Sequence, residues 1–229
     1  MKSVIIGAGT YGEVYLAYLE EAGVQIVGFL DDDASLWNRE IRGKRVLGGT
    51  DRLADLREEL DVEAVYCPIG SNEIRVRMLT RARQMGYRTP CYFHPSVILS
   101  PQISIANEGV YILPGTNVMP YVTIEKDVMI SSGTNIHHHS YLAQGTFIST
   151  GVNFGANIRT EPYAYIGMSA TIMTGIHRLG EGCLIGAGAV VIRDVEKYAI
   201  MAGVPARLIK YKDRTPDYGA PERGGGNSR

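Results

Sequence analysis

Between residues 112 and 191 the apolar positions recur every six residues. Ile112, Val118, Ile124, Ile130, Ile136, Leu142, Ile148, Phe154, Thr160, Ile166 and Ile172 keep this spacing, and only Thr160 is not apolar. One extra residue enters near Arg178, and Leu179, Ile185 and Val191 then resume the register. Four residues after each member runs a second series: Thr116, Val122, Val128, Thr134, Ser140, Thr146, Val152, Ile158, Ala164, Ala170 and Ile176. All of these are small or β-branched. Helices repeat at 3.6 residues and strands at 2, so neither yields two interleaved series of six. The pattern predicts a parallel β-helix in which one hexapeptide makes a short strand and a turn. Three hexapeptides complete a coil, and each apolar residue stacks on its equivalent one coil away in a narrow interior. A single coil cannot bury its own inner face, so several must stack. About five coils fit between residues 94 and 192. Gly109, Gly115, Gly133, Gly145, Gly151, Gly155, Gly167, Gly175 and Gly188 are expected to supply backbone freedom at the repeated turns.

The pattern is different ahead of the repeat. Ser3–Ile6 reads as a buried strand, Gly7-Ala8-Gly9-Thr10-Tyr11-Gly12 as a loop, Glu13–Glu21 as a helix and Val24–Leu30 as a second strand ending on Asp31-Asp32-Asp33. Strand, glycine loop, helix, strand and acid is the context in which G-x-G-x-x-G carries meaning. The glycines permit a tight turn and let a phosphate approach N–H groups at the helix start. Gly7, Gly9 and Gly12 are therefore candidate nucleotide contacts, and Asp31 and Asp32 stand where a ribose-binding acid is expected. A sharp turn in a purely structural α/β domain is the competing reading. Further on, a helix is expected over Asp51–Leu60 with Thr50-Asp51 as its N-cap. Ala64–Cys67 reads as another strand, running into Pro68-Ile69-Gly70-Ser71-Asn72 and then a helix from Glu73 to about Met85. Gly70 and Asn72 would face the crevice at the strand ends. Arg75, Arg77, Arg81 and Arg83 are expected mostly on a solvated face, with one within reach of a phosphate. Only about 90 residues precede the repeat, roughly half of a full dinucleotide-binding fold, which favours a mononucleotide or nucleotide sugar over NAD.

These boundaries divide the chain into a Rossmann-like α/β domain with a short parallel sheet (1–93), a β-helix (94–211) and a disordered tail rich in Gly, Pro and charge (212–229). The net charge of −1 gives no electrostatic reason to expect nucleic acid or an acidic membrane surface. Cys67, Cys91 and Cys183 are too few and too scattered for a disulfide framework or a paired metal motif, and suit reduced thiols in the cytoplasm. Val4-Ile5-Ile6 is too short for a signal peptide or a membrane span.

Three adjacent histidines, His137, His138 and His139, follow the inward Ile136 at a predicted corner. A solvated turn is the plain reading. A metal site would need further ligands from His94 or His177, and no acid stands at a suitable spacing, so none is expected. A histidine that titrates near neutrality is the natural general base for an amine or hydroxyl.

Up to about residue 210 the chain resembles the bacterial sugar-nucleotide acyltransferases of the left-handed β-helix class. The resemblance rests on Val4-Ile5-Ile6-Gly7-Ala8-Gly9 with Gly12 and Asp31-Asp32, on Ile69-Gly70-Ser71-Asn72-Glu73-Ile74-Arg75, on His94-Pro95-Ser96, on the hexapeptides, and on Gly203-Val204-Pro205-Ala206-Arg207. It implies a left-handed helix and a homotrimer with active sites between neighbouring helices. The implied activity is acetyl transfer from acetyl-CoA, as co-substrate, to the amino group of a nucleotide-linked 4-amino-6-deoxy sugar in glycan biosynthesis. It places the catalytic base on His138, with His139 beside it where the family often has a carboxylate. Phe147 stands where some members have a second histidine. An oxyanion donor is implied at the Gly155-Ala156 turn or at Gly167. CoA contacts are implied near Gly155, Ala156, Gly167, Met168, Gly186, Ala187, Pro205 and Arg207. O-acetylation of a sialic acid, and a non-catalytic sugar-nucleotide-binding scaffold, are the alternatives.

Overall fold

The computed structural model describes residues 1–213, so all but the first two residues of the expected tail lie outside the described residues. The first domain opens with β1 (Lys2–Ile6), α1 (Thr10–Glu21) and β2 (Gln25–Leu30). A small hairpin, β3 (Glu40–Ile41) and β4 (Lys44–Arg45), precedes α2 (Leu56–Leu60), β5 (Val62–Tyr66) and α3 (Asn72–Gln84). The sheet is three-stranded and parallel, in the order β2-β1-β5. Val4, Ile5 and Val65 are fully buried in it, as expected of a parallel strand covered on both faces.

The helix expected over residues 51–60 is two pieces, a 3₁₀ segment at Thr50–Ala54 and then α2. Thr50 is not its cap. Its N–H and hydroxyl both donate to the Asp32 carboxylate, at 2.7 and 3.3 Å, so the cap arrives from a neighbouring loop.

From Tyr92 onward the chain winds into a parallel β-helix of two-residue strands. These stack into sheets of eight, six and five strands, the eight including a closing hairpin. Tyr92–Phe93 pairs with Tyr111–Ile112, so the helix begins two residues ahead of the expected division at 93/94. Both six-residue series point inward: Ile112 to Ile172 and Thr116 to Ile176 are all almost fully buried. Thr160, the polar exception, is satisfied. Its hydroxyl accepts from the Ala143 N–H at 2.9 Å and meets the Thr146 hydroxyl at 2.8 Å. Most coils repeat at 18 residues. Thr171 pairs with Val190, one residue longer, which is the slip near Arg178. The Asp194 carboxylate braces that bulge by accepting from the His177 and Arg178 N–H groups. A second long coil was not expected: Ile98 pairs with Asn117, again one residue over. The solenoid ends on Ala199–Ala202 and Arg207–Tyr211, an antiparallel hairpin added to the eight-stranded sheet.

Each corner has a column of left-handed residues. One column runs Gly109, Asp127, Gly145, Tyr163 and Gly182, and another includes Tyr121, His139 and Asn157. Gly155 and Gly167 play a different part from the one expected, since neither has positive φ. A Cβ on Gly155 would lie 2.6 Å from the Ile172 carbonyl oxygen, and one on Gly167 2.6 Å from that of Ile185. These glycines allow one coil to pack down on the next.

The first domain docks on the outside of the eight-stranded sheet. Tyr11 and Tyr15 of α1 meet Phe147 and Tyr111, with ring centroids 6.2 and 5.4 Å apart. The Tyr11 hydroxyl bonds Ser131 Oγ at 2.6 Å, and the Cys67 N–H donates to the Tyr111 hydroxyl at 3.0 Å.

Candidate functional site

The glycine loop is built as the sequence predicts. Gly7 turns at φ +99°, and Gly12 packs its Cα against the Gly7 carbonyl, where a side chain would not fit. Gly9 stands at the N-cap of α1 with no side-chain capping bond, so the helix end keeps uncapped N–H donors. Asp31 is brought to this loop. Its Oδ2 accepts the Ala8 N–H at 2.8 Å and its Oδ1 the Asp33 N–H at 2.9 Å. The carboxylate keeps further lone pairs for a ribose, because each oxygen can accept more than one bond. Asp32 is committed to Thr50 instead.

Gly70 lies on the crevice loop, half-buried. Asn72 does not belong to that crevice. Its side-chain amide donates to the Tyr163 and Ala164 carbonyls at 2.9 and 3.2 Å, and its Oδ1 accepts from Arg75 at 2.9 Å. With its donors and its acceptor used on buried partners, it fastens the domain to the β-helix. Of the four arginines expected mostly on a solvated face, Arg77 is exposed and Arg81 half-buried, but Arg75 and Arg83 face the β-helix. Arg75 is fully buried, and Arg83 holds the buried Asp127 carboxylate with two bonds of 2.8 and 2.9 Å.

The histidines occupy the corner between the six- and five-stranded sheets. His137 is half-buried, and its N–H donates to the Phe154 carbonyl. His138 and His139 are exposed, with their Nδ1 atoms 3.0 Å apart. His139 has φ +59°, which aims its ring at Tyr121, 4.7 Å away between centroids. One Nδ1 of the pair must donate and the other accept, so the contact ties the two tautomers together. The Asn157 N–H donates to the His138 carbonyl, stacking the next coil beneath it.

The residues proposed for CoA separate into two sets. Met168 and Ala187 are exposed and Gly186 half-buried at the opposite edge of the six-stranded sheet, and Pro205 and Arg207 are exposed near it. This sheet carries an outward row of Asn117, Asn135 and Asn153 between the two corners. Gly155, Ala156 and Gly167 are buried. The N–H of Gly155 donates to Ile172 O at 2.9 Å and that of Gly167 to Ile185 O at 2.8 Å, so the inter-coil ladder uses both. Neither is free to hold an oxyanion, against expectation. Ala156 differs, because its N–H donates at 3.1 Å to the Thr174 hydroxyl, a side-chain partner. Among the described residues no three His, Cys, Asp or Glu side chains gather as metal ligands, and no helix is long and apolar enough to cross a membrane.

Comparison with known proteins agrees with this architecture. Residues 2–82 match the family described as the PglD N-terminal domain. The fold follows the acetyltransferase domain of PglB from Neisseria gonorrhoeae, solved with acetyl coenzyme A. The TM-score is 0.70 at 23% identity, over 91% of this chain and 98% of that one. It also follows a histidine-to-asparagine mutant of perosamine N-acetyltransferase from Caulobacter crescentus, solved with CoA and GDP-perosamine. There the TM-score is 0.60 at 26% identity, over 91% and 96% of the two chains. A curated relative, 2,3,4,5-tetrahydropyridine-2,6-dicarboxylate N-acetyltransferase from Enterococcus faecalis, is 43% identical over 58 residues, which is 25% of this chain and 24% of that protein. The chain thus spans about a quarter of that relative's length. The fold so defined is a short parallel α/β domain, similar over residues 2–82 to the PglD N-terminal domain, carried on a left-handed parallel β-helix.

Proposed function

We propose that the protein is an acetyl-CoA-dependent N-acetyltransferase acting on the amino group of a nucleotide-linked 4-amino-6-deoxy sugar in surface glycan biosynthesis, and that it works as a homotrimer in the cytoplasm. One observation carries the reading. The exposed His138–His139 pair and the Met168–Ala187 corner flank the same open face of the β-helix, on a chain whose other domain offers an uncapped glycine loop. The solved structures that share the fold support it, since those named above hold acetyl coenzyme A, or CoA with GDP-perosamine.

In this reading His138 acts through Nε2. Its Nδ1 carries the proton and donates to His139 Nδ1, which stands in for the orienting carboxylate. A neutral imidazole stabilises an imidazolium less than a carboxylate does, so the dyad suits an amine nucleophile better than a hydroxyl. The sugar amine attacks the thioester carbonyl and forms the C–N bond while its proton passes to His138. The C–S bond then breaks and the sulfur leaves as the CoA thiol, taking that proton. Ala156 supplies the oxyanion N–H. It lies one coil from His138, and the Thr174 hydroxyl can rotate away from it at a cost of about 1 kcal/mol. Gly186, Ala187, Pro205 and Arg207 border the path for acetyl-CoA, and Gly7, Gly9, Gly12, Asp31 and Gly70 the nucleotide.

A thiol-release assay across UDP-, GDP- and dTDP-linked 4-amino sugars, with free sialic acid as the O-acyl competitor, tests the reading. CoA release should require an amino-sugar nucleotide. His138→Ala should lower kcat by about 10²–10⁴-fold with little change in Tm. Wild-type turnover in that variant would remove His138 as the base, and silence across the whole panel would remove the activity. Light scattering should give a trimer.

A further inference from the structure

Arg75 makes four hydrogen bonds, and all of them end on neutral oxygens. Nε donates to Asp127 O at 3.1 Å and Nη2 to Gly145 O at 2.9 Å, both on the β-helix. Nη1 donates to Ile69 O at 2.8 Å and Nη2 to Asn72 Oδ1 at 2.9 Å, both in the first domain. Asn72 adds Tyr163 O and Ala164 O. Asp127, Gly145 and Tyr163 are the same left-handed turn position in three successive coils, with φ of 62°, 70° and 62°. Arg75 and Asn72 therefore read the carbonyls of one corner column, coil by coil.

Beside these bonds the guanidinium has the Phe147 ring, 5.9 Å from its carbon. A buried guanidinium whose hydrogen bonds reach no carboxylate is a poor way to gain stability, since well-packed apolar residues usually do as well or better. What it offers is a planar fork with fixed directions. The nearby Asp127 carboxylate is spent on Arg83 and on Gln144, which donates at 3.0 Å. The Ile69 bond is the one with a consequence for ligand binding. Ile69 lies on the loop between β5 and α3, and its side chain packs at Gly7, where an added Cβ would sit 3.0 Å from Ile69 Cγ1. Both crevice loops are in this way indexed to the β-helix corner through a single side chain.

We propose that Arg75 is a positioning residue that sets the loop over residues 68–71, and with it the nucleotide-binding crevice, in register with the coils of the β-helix through the corner between its five- and eight-stranded sheets. The inference rests on the reading of the first domain as the nucleotide half-site. Arg75 touches no substrate. It acts by holding Ile69 O where the crevice needs it, and a misplacement of about an ångström costs on the order of 10²-fold in rate.

The test is isothermal titration of full-length Arg75→Lys and of wild type with UDP, GDP, dTDP and CoA, beside Arg83→Gln. A lysine cannot span carbonyls on both domains. It should raise the Kd of the bound nucleoside diphosphate at least tenfold and leave that of CoA within twofold. Arg83→Gln breaks the bond to Asp127 and should lower Tm while leaving both Kd values within twofold. Wild-type nucleotide affinity in Arg75→Lys overturns the proposal, as does an equal loss of both ligands. If wild type binds none of the three nucleotides, the nucleotide reading of the domain falls with it. Should Arg75→Lys not fold, hydrogen exchange on wild type decides. The bound nucleotide should slow amides at Gly70–Asn72 and also at Gly145 and Tyr163, and protection confined to the first domain overturns the proposal.

Discussion

On the eight-stranded face of the β-helix the outward residues are Tyr92, Tyr111, Met129, Phe147, Tyr165 and Leu184. On the six-stranded face they are Ile98, Asn117, Asn135, Asn153, Thr171 and Val190. The inward residues of the two faces are alike in kind, a column of Ile112, Ile130, Ile148, Ile166 and Ile185 on the first and Val118, Ile136, Phe154, Ile172 and Val191 on the second, and all join one core. The difference lies one residue earlier, and it separates their uses. The aromatic face is sealed by α1 and has Tyr111 and Met129 fully buried, whereas the asparagine face is open and is bordered by His138 on one side and Met168 on the other. The repeat makes a scaffold. Its outer residues decide which side holds the second domain and which side is left for chemistry.

The strongest way to break this comparison is to remove the docked face's central ring. Tyr111→Ala deletes a fully buried aromatic side chain and the acceptor of the Cys67 N–H. Urea denaturation should show a loss of about 3–5 kcal/mol. A loss below about 1 kcal/mol would mean that the face does not carry the docking.

The β-helix was legible because a narrow interior admits one kind of residue at one position, so the period survives in the letters. The glycine loop was legible because only glycine permits its turn and the close helix start. The docked face was present too, as Tyr111, Met129, Phe147 and Tyr165 at an 18-residue spacing, but a reading in sixes looks at inward positions and passes over every third outward one. Asn72 and Arg75 were misassigned for a related reason. A small polar residue after a strand can face a crevice or bond across a domain seam, and only the partner tells which. The N–H groups of Gly155 and Gly167 were misread because the ladder of an adjacent coil is not visible in a local motif.

A smaller effect separates the seam from the open face through pH. Burial pushes the Cys67 thiol, behind the docked face, up to about 12, and does the same to Cys183 inside the coil. An unfolded chain releases these protons from about pH 8.5–9, while the folded protein holds them until about 12. The unfolded state therefore binds fewer protons across that window, and stability falls as pH rises. Each thiol contributes about 1.4 kcal/mol per pH unit, and the contribution vanishes below pH 8. Cys67→Ala should flatten the slope of unfolding free energy against pH between 9 and 11 by that amount. An unchanged slope would show that solvent reaches the seam.

The smallest expected effect belongs to the asparagine face. Asn135 Nδ2 donates to Asn153 Oδ1 at 3.0 Å in an exposed ladder, and little else holds either side chain. Asn135→Ala should change the unfolding free energy by no more than about 0.5 kcal/mol, far less than the Tyr111 effect, because water replaces the lost bond. If this face is the track that joins the His138 corner to the Met168 corner, the change should appear in the KM for acetyl-CoA instead. A stability loss of several kcal/mol would show the asparagine row to be sealed as the tyrosine row is, and the two faces would then differ in their partners and not in whether they are covered.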